Sequence, residues 1–464
     1  MPATELALDG RSKALESLRE SFAGFWSRLT AVDAAAAQTA DPELRQAFIA
    51  FYPMYEMARL RHIAVDAPGN PMRVPINQYQ HGKRLLDHRA RVVTAPNNDT
   101  IYSSARLDLS NGPIVVTMPR IERRYYSLQF MNAYTDNIAL LGSRTDGAGP
   151  MKIAVAGPGW QGPLPDHDRR LDADTNDLWL LVRILVAGES DLPNVAAIQS
   201  NMQIIAPPGP YAGLRQIPAK DPTPEMFVTV INDMLGRNPP QGLMLDQQRA
   251  VASLGLRPGE IDAWQTMPAG LRQRWETQWP FIWNELRQLH SQGSGIGRHT
   301  SGWEFPPPGI GRWGSNLTLR AAVALRGIAA LDSAEVLYLN AATDAKGERL
   351  DGHHRYRIRV PAQGVPVNAF WSITMYEIMP DGRFFFVDNP IRRYSVGDRT
   401  QGLVKNADGS FDLWLLSEAP TDDDRKANWL PAPKGPFRMS LRAYLPTPEL
   451  VSGKADLPVI EKLD

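Results

Sequence analysis

The sequence has no cysteine at any of its 464 positions, and its 50 lysines and arginines are balanced by 50 aspartates and glutamates. Without thiols there is no disulfide framework, no cysteine-ligated zinc, no iron–sulfur cluster and no thiolate nucleophile. That absence is neutral about compartment. A formal net charge of zero removes the counterion release that drives nucleic-acid binding, and it leaves no polybasic signal for an anionic membrane. Long apolar runs are missing too. Stretches such as Leu178–Val182 and Ile184–Ala187 fall far short of the ~20 residues needed to span a bilayer. The first thirty residues interleave Glu5, Asp9, Arg11, Lys13, Glu16, Arg19 and Glu20, so no signal-peptide core is visible. The expectation is a soluble, cytoplasmic chain, or a periplasmic or secreted one if a leader has been trimmed.

What is present is enough chain for two or three domains at roughly 100–200 residues each, with a core that needs no staples. Asp41-Pro42-Glu43 is a helix start, with Asp41 placed to cap free amides and Pro42 in the first turn. Leu44, Phe48, Phe51, Tyr55 and Ala58 follow at helical spacing, and Pro53 should kink this helix. From about residue 91 to 187 the period becomes two, with strands expected at 101–108, 113–118, 124–131, 137–143, 151–156 and 178–187. In the first of these, Tyr102, Ser104, Arg106 and Asp108 share a distinctly polar face. Helical spacing returns between about 190 and 335. There Trp275, Trp279, Ile282, Trp283 and Leu286 form a stripe that suits a helix packed on a sheet. The last third alternates again, at His354–Val360, Phe370–Tyr376, Phe411–Leu416 and Phe437–Tyr444, as a second sandwich or jelly roll. The reading is a mainly β chain with substantial α. It divides into a helical segment (1–90), a β-sandwich (91–190), a helical region (191–335) and a jelly-roll β domain (336–464).

Familiar catalytic motifs fail their structural requirements. Gly309-Ile-Gly-Arg-Trp-Gly314 has the spacing of a dinucleotide loop, but three prolines precede it where a strand is required, so a tight turn is expected. There is no Walker lysine loop, no Gly-x-Ser-x-Gly elbow and no His-Glu-x-x-His. The eight histidines show no ligand spacing: His81 and His88 are seven residues apart with a glycine between them. No metal and no cofactor are expected.

Two polar segments stand out. Thr94-Ala-Pro-Asn97-Asn98-Asp99-Thr100-Ile-Tyr102 concentrates donors and acceptors immediately before a strand. Its amides either form Asx turns that start the strand or bind a polar substrate. Arg123–Asn137, which includes Gln129, Asn132 and Tyr134, is equally dense and suits either a sandwich corner or ligand contact. In the last third, Arg392, Arg393 and Arg399 lie beside Asp388 and Asp398, as an anion site or a salt-bridged loop. Asn428-Trp429-Leu430-Pro431 suits a sugar platform or a plug over the β domain.

At these residues the chain resembles a bacterial family that fuses domain of unknown function 1254 with domain of unknown function 1214. Ala95–Leu109, Arg124–Asn137 and Gly157–Trp160 carry the N-terminal likeness. Phe370–Tyr376, Val387–Arg399 and Ala427–Pro433 carry the C-terminal one. The resemblance implies an immunoglobulin-like N-terminal sandwich, helical elements and a C-terminal jelly roll, and it brings no settled activity. Members often carry export signals, from which this chain departs.

The leading expectation is a hydrolase acting on a glycoside, ester or amide in a cleft at the β-domain junction. Asp99 is the expected general acid or base, with Tyr102 assisting. Asn97, Asn98, Gln129, Asn132, Tyr134, Trp371 and Arg399 are expected to hold substrate. Glu56, Asp136 and Asp398 are candidates for a second carboxylate. The alternatives are a non-catalytic carbohydrate or small-molecule binding protein and a structural protein that forms oligomers. Expected partners are a small-molecule or glycan ligand and a second copy of the chain, with no nucleic acid and no membrane span.

Overall fold

The computed structural model describes residues 40–91, 94–293, 298–380 and 382–464. Helix α1 (Pro42–Val65) begins at Asp41, whose Oδ1 accepts from the amides of Glu43 and Leu44 at 3.1 and 3.2 Å. The helix runs unbroken through Pro53, and Leu44 together with every residue from Ala47 to Ala58 is buried. Such a helix needs partners all round. After α1 come β1 (Gln80–His81), β2 (Thr100–Asp108), β3 (Ile114–Met118), β4 (Tyr126–Asn132), β5 (Asn137–Gly142), β6 (Met151–Ala156), β7 (Arg169–Asp172), β8 (Asp177–Leu185), α2 (Leu192–Ser200) and β9 (Gln203–Ile205). They form two sheets, ordered β1-β2-β8-β4-β5 and β7-β6-β3-β9. Ile101, Ala105 and Leu107 of β2 meet Ile114 and Val116 of β3 and Ile153 of β6 in one apolar core.

Register then dictates what the other face of the first sheet carries. Tyr102 pairs with Arg183, Ser104 with Leu181, Arg106 with Trp179 and Asp108 with Asp177, and Gln129 of β4 lies opposite Leu181. Since alternate side chains share a face, the polar residues of β2 and β8 point away from the apolar core together.

The helical layer covers part of that face. It contains α3 (Pro224–Arg237), α4 (Gly242–Val251), α5 (Ala263–Thr266), α6 (Ala269–Gly293) and α7 (Leu317–Arg326) around α1. The tryptophan stripe of α6 packs on helices and not on a sheet: Trp279 and Trp283 meet Phe48 of α1 edge-on at 5.2 and 5.1 Å, and Trp279 lies 5.5 Å from Phe227 of α3. The all-round burial of α1 explains this: α3, α4, α6 and α7 pack around it, while Met57 faces Arg106 of β2. At the end of α1, Arg61 lies 3.3 Å from Asp177, and Arg237 of α3 bonds both Asp177 and Asp108 at 2.9 Å.

The C-terminal strands are β10 (His299–Thr300), β11 (Trp303–Glu304), β12 (Val336–Ala341), β13 (Tyr356–Val360), β14 (Val367–Ile378), β15 (Phe384–Phe385), β16 (Ser395–Gly397), β17 (Phe411–Leu416), β18 (Trp429–Pro431), β19 (Phe437–Pro446) and β20 (Ile460–Lys462), with short helices α8 (Asp423–Ala427) and α9 (Pro448–Ser452) among them. One sheet runs β10-β11-β12-β19-β14-β15 with β16 also on β14, and the other runs β18-β17-β13-β20. Both contribute to a core that includes Ile358, Trp371, Ile373, Leu413 and Leu441. The fold is mainly β with substantial α.

N- and C-terminal sheets meet through aromatic contacts. Tyr125 packs edge-on against Tyr444 at 5.1 Å and Phe370 at 5.7 Å, and its hydroxyl donates to Glu335 at 2.8 Å. Ala95 and Leu86 pack beside Tyr376, Phe386 and Tyr394. Among the described residues no helix is long and apolar enough to cross a membrane.

Candidate active site

The segment before β2 is pinned from the C-terminal side. Ala95 adopts φ +51°, a conformation unfavourable to a residue with a Cβ. Its amide donates to the Phe384 carbonyl at 3.0 Å, and its own carbonyl accepts from Arg442 Nη2 at 3.2 Å. Tyr376 completes the clasp by donating to the Pro96 carbonyl at 2.8 Å while accepting from Arg442 at 2.6 Å. Asn97 follows and does two jobs. Its Oδ1 accepts from the Asp99 amide at 2.6 Å, an Asx turn, and its Nδ2 donates to the hydroxyls of Tyr444 at 3.0 Å and Tyr102 at 3.3 Å.

Asp99 is 4% exposed, and both its oxygens face partners on the C-terminal side. Ser372 donates to Oδ2 at 2.6 Å, and Arg399 Nη2 lies 3.9 Å from Oδ1. The same guanidinium lies 3.9 Å from Asp398, stacks over the Phe370 ring at 4.3 Å and donates to the Val186 carbonyl at 3.0 Å. Burial pushes the Asp398 carboxyl up. Asn98 is half-buried and accepts from Ser395 at 3.3 Å.

Tyr102 has a different environment. It is half-buried, on the polar face of β2, with the Arg183 guanidinium 5.3 Å from its ring centre. Burial works against its ionisation, but the charges of Arg183 and Arg442 and the hydrogen bonds from Thr100 and Asn97 outweigh it and hold the hydroxyl below its ordinary range. Its neighbours go the other way. Burial pushes Tyr338 up to about 12 and, reinforced by the charge of Asp99, drives Tyr444 well above its usual value. Gln129 sets the pose of Arg183: its Oε1 accepts from Nη1 at 2.8 Å while its Nε2 is held by Asn137 at 2.6 Å and by the Ala330 carbonyl at 3.2 Å.

The structure thus gathers Asn97, Asp99, Tyr102, Gln129 and Arg399 around one junction, with Asn98 at its edge. It takes the other three residues elsewhere. Asn132 shapes a turn, accepting from the amides of Tyr134 and Asp136, both at 2.9 Å, and donating to Asp174. Tyr134 inserts into the helical core. The Trp371 ring lies in the C-terminal core, parallel to Phe411 at 6.5 Å. Glu56 is held by Arg59 at 2.7 Å and Asp136 by Arg320 at 3.2 Å, so of the three further carboxylates Asp398 is the one that joins Asp99 at Arg399. Arg393 ties its loop to the carbonyls of Ala427 and Trp429, and Trp429 is itself 2% exposed with its indole N–H on the Leu416 carbonyl, which makes it a plug. Among the described residues no group of three or more histidines and carboxylates is arranged to hold a metal ion.

Sequence reasoning passed over Arg183, Tyr338, Ser372, Arg442 and Tyr444. Arg183 carried a signal, as the lone charge between the apolar stretches Leu178–Val182 and Ile184–Ala187. The others become visible through pairing of distant strands.

Among solved structures, the VPA0106 protein from Vibrio parahaemolyticus is similar over 91% of this chain and 99% of its own, with 23% identity and a TM-score of 0.69. That likeness is one of fold. An uncharacterised protein from Burkholderia cenocepacia aligns over 90% of this chain and 87% of its own at 14% identity, with a TM-score of 0.43. No functionally curated protein matches the chain. Residues 76–206 match the protein of unknown function DUF1254, and residues 335–448 match the protein of unknown function DUF1214. Those two segments contain β1–β9 and β12–β19, the elements that build the junction, and the chain belongs to the family in which DUF1254 and DUF1214 are joined in one polypeptide.

Proposed function

We propose that the chain is an enzyme that hydrolyses a glycoside, ester or amide bond in a small polar substrate at this junction, with Tyr102 as its acid and base. One observation carries the reading: among the tyrosines gathered there, Tyr102 combines accessible surface with a hydroxyl held toward ionisation by two arginines. A group poised in this way takes a proton from the attacking water and returns it to the leaving group, so that water adds across the cleaved bond and the tyrosine ends unchanged. Arg183, positioned by Gln129, faces negative charge that develops on the substrate. Asn97 orients the Tyr102 hydroxyl through its side-chain amide.

Asp99 then serves as a positioning residue, because its carboxylate is bound by Ser372 and faces Arg399, and its own amide closes the turn that aims Asn97. The roles expected of Asp99 and Tyr102 are exchanged. The test is a panel of glycosides, esters and amides assayed with wild type, Tyr102→Phe and Asp99→Asn. Tyr102→Phe should cost about 10²–10⁴-fold in turnover, and turnover unchanged by that substitution overturns the assignment. Saturable binding of a panel member without turnover by wild type would move the conclusion to a non-catalytic binding protein.

A further inference from the structure

Four residues along β2 from Tyr102, and on the same face, Arg106 is 6% exposed. A buried guanidinium ordinarily has a carboxylate, yet Arg106 forms no ion pair with any described residue. Its Nη1 lies 4.0 Å from the sulfur of Met57, its Nε has no hydrogen-bond partner among the described residues, and its charge sits 3.8 Å over the Trp179 ring. The neighbouring carboxylates are already taken. Asp108 and Asp177 are bonded by Arg237 and approached by Arg61 at 3.7 and 3.3 Å. Three guanidinia therefore surround two buried carboxylates. Beside Arg106 on this face, Trp179 and Ser104 are both half-buried and joined by an indole hydrogen bond of 2.8 Å.

We propose that Arg106 anchors a carboxylate of the substrate whose reacting bond lies at Tyr102. This rests on the reading of Tyr102 as the reacting group and deepens it by naming the substrate class. Residues 102 and 106 are separated by roughly 13 Å at 3.3 Å per strand residue, so the substrate is an elongated monoacid with its polar bond at one end and its carboxylate at the other. A carboxylate suits the site better than a phosphate dianion, because Arg106 alone would face it while Arg61 and Arg237 are held by Asp66, Asp108 and Asp177. The fork of Arg106 offers two parallel donors to it, and the Trp179 ring holds the guanidinium in place.

The experiment is calorimetric titration with 4-phenylbutanoate, with its neutral counterpart 4-phenylbutanol and with inorganic phosphate. Wild type should bind the carboxylate at least tenfold more tightly than the alcohol, and Arg106→Met should erase that preference. Arg106→Lys, which keeps the charge and loses the fork, should fall between. Tyr102→Phe should leave the preference intact, so a failure of the catalytic reading leaves this result standing. Urea denaturation of Arg106→Met separates anchoring from folding: replacing an unpaired buried charge by an apolar chain should leave the midpoint unchanged or raise it. Equal binding of acid and alcohol by wild type, a preference that survives Arg106→Met, phosphate binding more tightly than the carboxylate, or a lowered midpoint in Arg106→Met would each overturn the proposal.

Discussion

Arg442 on β19 donates to the hydroxyl of Tyr376 on β14 at 2.6 Å, and the same guanidinium reaches Thr374 at 2.8 Å and the Ala95 carbonyl at 3.2 Å. One buried side chain thus ties the C-terminal sheet to the segment that presents Asn97 and Asp99. Arg442→Met leaves three acceptors unmet and removes a positive charge facing Asp99. The expected loss is about 1–3 kcal/mol of unfolding free energy for each buried acceptor left unsatisfied. Urea denaturation measures it, and a loss below about 1 kcal/mol, the scale of one ordinary hydrogen bond, would show that other contacts hold the segment.

The lowered Tyr102 hydroxyl has a spectroscopic consequence that needs no substrate. A single tyrosine should ionise below the ordinary value of 10.0, visible in the ultraviolet difference spectrum, and should vanish in Tyr102→Phe. Arg183→Met removes a positive charge that favours the phenolate, so it should move that titration upward. If no tyrosine titrates below the ordinary value in wild type, the electrostatic basis of the proposed chemistry is gone.

Tyr134 offers a contrast. Its ring lies in the helical core and its hydroxyl has no hydrogen-bond partner among the described residues, so the group is buried at a cost. Tyr134→Phe should leave stability unchanged or raise it by about 1 kcal/mol, with no effect on turnover of the panel. A clear loss of activity at full stability would return Tyr134 to the list of substrate contacts.

Arg124 grips Asp191 with two donors, at 2.5 and 2.7 Å, and the amide of Ala187 adds a third at 2.9 Å. The Arg124 bond, with the Ala187 and Asn194 bonds behind it, holds the Asp191 carboxyl well below its unfolded value of 3.8. A depressed folded value means that this stabilisation is full above the unfolded value and is lost as pH falls through 3.8 toward the folded one. Asp191→Asn should therefore be less stable than wild type at neutral pH, with the gap closing in strong acid. A gap that does not change between neutral pH and pH 3 would rule out the ion pair as its source.

Local chemistry made parts of the fold legible. The Asp41-Pro42 start, the period of two between residues 100 and 118 and the Asx turn at Asn97 each depend on a few adjacent residues, and each stands where its chemistry puts it. Partners were harder to read. The α6 tryptophans announced a buried stripe without saying what buries it, and nothing near α1 in the sequence names α6. Ser372 meets Asp99 across 273 positions and Arg442 meets Ala95 across 347, so half of the junction was hidden among polar residues with no local pattern. Arg106 was plainly on a polar face, but only a fold that commits Asp108 and Asp177 to Arg61 and Arg237 leaves it without a carboxylate among the described residues.

The clasp at Ala95 also bears on how such a protein can be inherited. The strand that presents Tyr102 is prepared by atoms of Phe384, Tyr376 and Arg442, so either half made alone would lack part of the other's scaffolding. Encoding both halves in one reading frame turns their meeting from a bimolecular search into an intramolecular one, at the high local concentration a tether confers.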